Sequence, residues 1–410
     1  MKRFFTIVSL IVVFVLITSS SSTTQVTYPT YTNEYKEEIT DFLINSSVEV
    51  LSSSENNNAI YSPMGLYFVL SMIASVSQGE TLNEITNTLG IELDSIEENT
   101  IKLMNYIRKG WKKDYKFNVE NVVYYDESES DYYKEETFDL LKTLYDAHYE
   151  RAKFSNGDVN SKIVKFIEET TDNFLKLNES DFDYLKTQNL AFLNVLYYKG
   201  VWKEKFETND TKDEDFYITS EQSVKVKMMN RKISSAYHEG DQYLSSRLSY
   251  QDGNAMVFIL PNEGVSVDEI LSSTELLMEA LNIENYYSAE IRYKIPKFDY
   301  TDDINLTDSV KALGINKIFD IHSGENHDFI KLMNNKDDIF KFSGIKQGSR
   351  IALDEEGVRV ASHTIGFGCG AKSAPPLDEI NFYLTRPFAY AIVTNDGIPL
   401  FIGKVLNPNT

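Results

Sequence analysis

RIALDEEGVRVASHTIGFGCGAKSAPP, residues 350–376, is followed ten residues on by RPFAYAIVTNDGIPLFIGKVLNP, residues 386–408. The second segment holds two apolar, β-branched runs, 389–394 and 398–405, that read as strands. The first opens with a strand over 349–354, then an acidic pair, Glu355-Glu356, then Gly357, which tolerates φ/ψ that other residues do not. Beyond the glycine, strand alternation puts Val358, Val360, Ser362 and Thr364 on one face and Arg359, Ala361, His363 and Ile365 on the other. The first face can be buried without an unpaired charge, while Arg359 and His363 stay in solvent. Gly366, Gly368 and Gly370 weaken the distal end of such a strand. They also invite a phosphate-loop reading, but Ala371 stands where that loop needs glycine before Lys372, and Pro375-Pro376 disfavour the helix it must open.

The rest of the chain is consistent with one large α+β domain. Apolar positions recur at helical spacing from Tyr35 to Leu51, a buried helix and a second helix follow, and Val159–Leu177 and 305–313 read as helices. Thr81 with Glu84 gives a capping-box pattern, and Gly90 a stop. Strands are expected at 117–125, 189–198, 223–229, 255–261 and 289–297, without regular β-α alternation. There is no internal repeat. Of 410 residues 42% are hydrophobic, including 24 Phe and 26 Tyr, enough for a large core. A formal charge of −22 argues against nucleic acid as a partner, since phosphate binding needs clustered Lys and Arg. A single cysteine, Cys369, excludes an intrachain disulfide and a cysteine-built zinc site.

The first 22 residues form a different class. Lys2 and Arg3 precede an apolar run, Phe4 to Ile17, and then Thr18 and Ser19–Ser22, the three regions of a secretory signal. The run is shorter than the ~20 residues that span a bilayer, so cleavage would release a protein free of the membrane. Residues 23–34 read as a flexible mature N-terminus. Four N-x-[ST] sequons, at Asn45, Asn178, Asn209 and Asn305, fit an exported and glycosylated chain. Lys102, Arg108, Lys109, Lys112, Lys113 and Lys116 form a basic stretch whose only acid is Asp114. On one helix, 102, 109, 113 and 116 would share a face, a candidate glycosaminoglycan site against the plainer reading of a solvated helix. No G-x-S-x-G or H-E-x-x-H occurs, and the five histidines are scattered; His322 and His327 read as part of a solvated acidic loop. No catalytic constellation, metal site or cofactor site emerges, so an enzyme is not expected.

Together with NAIYSPMGLYFVLSMI (58–73), LAFLNVLYYKGVWKEKF (190–206), FYITSEQSVKVKMMN (216–230), MVFILPNEG (256–264) and IPKFDYTDDINLTDSVKALGI (295–315), the two C-terminal segments resemble the serpins, in family order over about residues 35–409. The resemblance implies one domain of three β-sheets and about eight or nine helices, with an exposed reactive-centre loop at about 355–381. It implies no cofactor and a monomer that inhibits a serine protease, trypsin-like or elastase-like, or else a cysteine protease. The protease cuts the loop and forms an acyl-enzyme; the loop then inserts as a new strand and traps it. The alternative within the family is a non-inhibitory carrier or chaperone.

Several positions carry family roles by resemblance. The hinge would be Glu355, Glu356, Gly357, Val358, Arg359, Val360, Ala361 and Ser362, with Val360 larger than the usual alanine. Counting 17 residues from Glu355 places the cleaved bond at Ala371-Lys372; a register longer by one gives Lys372-Ser373. Ser62, Asn194 and Gln347 match the polar shutter beneath the opening sheet, although the family usually has His at 347 and Ser at 65. At the breach, where insertion begins, Trp202, Lys297 and Glu355 are the matching residues, with Lys297 and Glu355 expected to pair.

Overall fold

The computed structural model describes residues 33–54, 57–108, 116–324, 327–359 and 379–410, with the backbone alone for 33–38 and 106–108. Nine α-helices occur among these residues: α1 Asn33–Ser52, α2 Pro63–Val76, α3 Gly79–Leu89, α4 Leu93–Arg108, α5 Glu135–Tyr145, α6 Asp158–Thr170, α7 Val267–Leu271, α8 Thr274–Leu281 and α9 Thr307–Ala312. The strands are β1 Ala59–Tyr61, β2 Lys116–Asp126, β3 His148–Ala152, β4 Leu190–Val201, β5 Lys212–Tyr217, β6 Ser223–Glu239, β7 Tyr243–Ser249 and β8 Ala255–Pro261. They continue with β9 Tyr287–Pro296, β10 Phe298–Asn305, β11 Lys346–Asp354, β12 Gly357–Arg359, β13 Glu379–Tyr383, β14 Phe388–Val393 and β15 Pro399–Val405. The class is α+β, with most helices early in the chain and most strands late.

Hydrogen bonding joins the strands into a six-stranded sheet, in the order β10-β11-β12-β4-β2-β3, and a nine-stranded one. In the latter, β1-β15-β14-β8-β7-β6-β9-β13 are consecutive and β5 also pairs β6. Two of the three expected sheets are therefore continuous, because the 17-residue β6 runs through both: its start pairs β5, its middle β9 and its end β7.

Helix α2 fills the space behind the six-stranded sheet. Ser62 caps it, its hydroxyl accepting from Gly65 N, and Pro63 takes the first turn, where its missing N–H costs nothing. Every residue of α2 except Val69 is buried, the pattern of a helix apolar on all sides. Strands β8, β14 and β15 are buried along their whole length. A second, smaller core, including Val122, Phe154, Val159, Ile163 and Ile167, lies where α6 covers β2, β3 and β4. No helix among the described residues is long and apolar enough to cross a membrane.

Three local expectations are corrected. Helix α3 begins at Gly79 rather than at a Thr81 cap: Thr81 N and Oγ1 both donate to Asp328 Oδ2, at 2.9 and 2.8 Å, so a distant carboxylate satisfies the helix start. Its partner in the expected box, Glu84, instead accepts from Asn316 N and Lys317 N, both at 2.7 Å. His322 and His327 are buried, not solvated, and sit in an aromatic nest with Phe329 and Phe340. The basic stretch is not one helix either: Lys102 and Arg108 lie on α4, and Lys116 lies on β2.

Candidate functional site

Of the eight residues expected as the hinge, 355–359 are described. Gly357, Val358 and Arg359 form β12, antiparallel to both neighbours: they pair with Val201, Gly200 and Lys199 of β4 and with Asp354, Leu353 and Ala352 of β11. Adjacent strands lie about 4.8 Å apart, so β4 and β11 are held one strand's width apart here. Among the described residues β4 and β11 share no ladder bond at any register. Val358 is 1% exposed and points inward, while Arg359 is exposed on the outer face. Gly357 has φ +153°, and a Cβ there would stand 2.0 Å from the Gly200 carbonyl oxygen, so only glycine fits.

Next to β12 the residues expected at the breach come together. The Trp202 indole Nε1 donates to the Asp354 carbonyl at 3.0 Å, and its ring stacks on Tyr250 with centroids 4.6 Å apart. Its backbone N–H donates to the Glu356 carbonyl at 2.9 Å, locking the turn before β12 to the end of β4. Glu355, 8% exposed, takes Lys297 Nζ at 2.6 Å on one oxygen and the Thr211 hydroxyl at 2.8 Å on the other. Burial alone would raise its carboxyl; the bonds from Lys297 and Thr211, with the Lys297 charge, outweigh that and hold it below its ordinary value.

The residues expected at the shutter also meet, around Gly65 at the start of α2. Gln347 Oε1 accepts from Ser62 N at 2.6 Å, and Nε2 donates to Ser62 O at 2.9 Å. Asn194 Nδ2 donates to Asn121 Oδ1 at 2.9 Å. Gly65 lies at the centre of the three: a Cβ built on it would lie 3.3 Å from Gln347 Nε2, and 3.4 Å from both Asn194 Oδ1 and Ser62 Oγ.

Thr211, Tyr250 and the Lys205–Glu356 ion pair, at 2.5 Å, belong to the same region but left no signal in the sequence. Val360, Ala361, Ser362, Cys369, Ala371, Lys372 and Ser373 lie outside the described residues, as do Lys109, Lys112, Lys113 and residues 1–32. Of the basic stretch, Lys102 pairs with Glu98 at 2.5 Å and Lys116 with Asp172. All four sequon asparagines are exposed. Among the described residues no group of three or more His, Cys, Asp or Glu could hold a metal ion.

Residues 37–408 match the family model described as Serpin (serine protease inhibitor). Relatives include mouse neuroserpin, 27% identical with 91% of this chain and 92% of that protein covered, and Arabidopsis thaliana Serpin-Z10, 26% identical with 90% and 97% covered. A serine protease inhibitor of Cyanea capillata is 27% identical, with 86% and 92% covered. Similar solved structures are the thermophilic serpin tengpin in its native state (TM-score 0.77, 20% identity, 93% and 96% covered) and a cleaved Serpin 42Da (0.75, 19%, 91% and 98%). Thyroxine-binding globulin in complex with thyroxine is also similar (0.73, 20%, 92% and 100%). With a sequence match spanning nearly the whole of the described domain, the chain belongs to the serpin family.

Proposed function

We propose that this serpin is an exported protease inhibitor that acts as a suicide substrate, trapping a serine protease by inserting its cut loop into the six-stranded sheet. The observation that carries the reading is β12, a strand already begun between β4 and β11 with its inward residue apolar. Continued in the same register, the inserting strand would bring Thr364 opposite both Asn194 and Gln347, two of the shutter residues. The inward face above it, Val360 and Ser362, carries no charge. The proposed cleavage is at Ala371-Lys372, with Lys372-Ser373 as the other register; the first suits an elastase-like pocket, the second a trypsin-like one. Export rests on the N-terminal signal pattern and on four exposed sequons.

The test is incubation of the mature protein with a trypsin-like and an elastase-like protease, followed by a denaturing gel and mass spectrometry. A complex that survives boiling in detergent is expected, and the released C-terminal peptide identifies the bond. Cleavage by both enzymes without any complex would sink the inhibitory reading and favour a carrier, a role for which the likeness to thyroxine-binding globulin is the supporting observation.

A further inference from the structure

We propose that the outer face of the hinge is an anion site, built by Arg359 and Lys199, that takes a phosphate or sulfate group and thereby holds β12 in the sheet. The ladder places Arg359 directly opposite Lys199 on β4, and Lys199 directly opposite Lys116 on β2. Three cations thus stand in one row across three adjacent strands, on the face opposite to the buried Val358. Side chains directly opposite have Cβ atoms about 4.5–5.5 Å apart, and like charges in that position repel. Lys116 is relieved by its ion pair with Asp172. The side chains of Arg359 and Lys199 have no ion-pair or hydrogen-bond partner among the described residues.

Both residues border a cleft of about 390 Å³, together with Lys205, Gly200, Gln251 and Gly357. Two carboxylates also border it: Glu356 pairs with Lys205 at 2.5 Å, while Asp354, whose Oδ1 accepts from Glu356 N at 2.9 Å, keeps its charge. Against that one unpaired carboxylate stand a planar guanidinium and an ammonium at the same cleft, on a protein whose overall charge is −22. A small doubly charged oxyanion answers both, because the guanidinium can bind two oxygens in a fork while the ammonium acts as a point charge. Its binding removes the repulsion between β12 and β4, so an occupied site favours the docked hinge. The effect on inhibition rests on the insertion reading above; the binding itself does not.

Trp202, hydrogen-bonded to Asp354 and Glu356 on the turn that leads into β12, is a local reporter, and Trp111→Phe leaves it as the single tryptophan of the chain. Its fluorescence is followed while sodium sulfate, inorganic phosphate or a sulfated disaccharide replaces chloride at constant ionic strength, with no protease present. The expected result is a saturable change whose apparent affinity falls at least tenfold in Arg359→Gln and in Lys199→Gln, with Arg359→Lys recovering much of the loss. Response to the simple anions identifies a free oxyanion as ligand; response to the disaccharide alone, with the same loss in the variants, identifies a sulfated sugar. A change that does not saturate, or that is equal in wild type and both Gln variants, overturns the site. Covalent complex formation is scored separately, so failure of the inhibitory reading leaves this result standing and the reverse holds too.

Discussion

Glu355 shows how one side chain can tie separate parts of the chain together. It is nearly buried, and its two oxygens are taken by Lys297 and Thr211 from separate parts of the chain. Glu355→Gln should cost about 2 kcal/mol at neutral pH, less than the ~3–5 of a fully buried pair because Lys297 is about one-third exposed. The folded carboxyl titrates below its unfolded value, so this contribution is complete above the unfolded pKa, near 4.5, and is lost as pH falls through the folded one. Melting temperatures of wild type and Glu355→Gln should therefore differ at pH 7 and converge under acid; a gap that does not narrow would contradict the assignment. Glu355→Lys sets two ammonium groups together and should add loosening to the loss. Polymers on a native gel after mild heating are the expected result, and purely monomeric behaviour would count against a breach at this place. Gly357→Ala puts a methyl into the Gly200 carbonyl, so β12 should lift from β4 and amide exchange at residues 199–201 should quicken. Unchanged exchange would mean that β12 does not depend on this close approach.

At the scale of elements, Val358 is the inward-facing side chain of β12 among the described residues, so a substitution there should decide whether the strand stays in the sheet. Val358→Arg asks the sheet to bury a charge where the native side chain is 1% exposed, and an unpaired buried charge is among the costliest changes a core can receive. Cleavage of the loop should continue at the wild-type rate while the covalent complex is lost; a variant still forming complex in full yield would show that the inward face of β12 is not what inserts. Elements were legible in the sequence to the degree that their own residues are buried. Strand β8 matches its expected range, and β14 and β15 lie within one residue of theirs, because each is an unbroken apolar run. Only the first seven residues of β6 were expected, since the rest, RKISSAYHE included, owes its place to β9 and β7 on either side. The start of α3 was misplaced because its cap, Asp328, is 247 residues away. His322 and His327 lie beside acidic residues in the chain, and their burial comes from phenylalanines that the local pattern does not connect to them. The site was legible mainly through the family resemblance: the Lys297–Glu355 pair spans 58 residues and Ser62–Gln347 spans 285, distances over which spacing carries no information. Thr211, polar and in an acidic stretch, gave no sign at all.

For the whole molecule, the central claim is that the intact chain is held short of a more stable state. Among the described residues two strands of one sheet, β4 and β11, are joined through β12 alone, and an inserted loop of roughly ten residues would add ladder bonds on both sides. At ~1 kcal/mol net per bond the gain is on the order of 10–20 kcal/mol, comparable to or larger than the stability of an ordinary domain. The intact form would then persist through a kinetic barrier. The measurement that tests this most directly is the melting temperature of the protein before and after a single cut in the loop between residues 365 and 376. With an unfolding entropy of about 2.1 cal/mol/K per residue, a gain of that size should raise the midpoint by roughly 12–25 °C. Unchanged melting after a verified, complete cut would contradict insertion, and with it the reading of β12 as the start of an inserting strand.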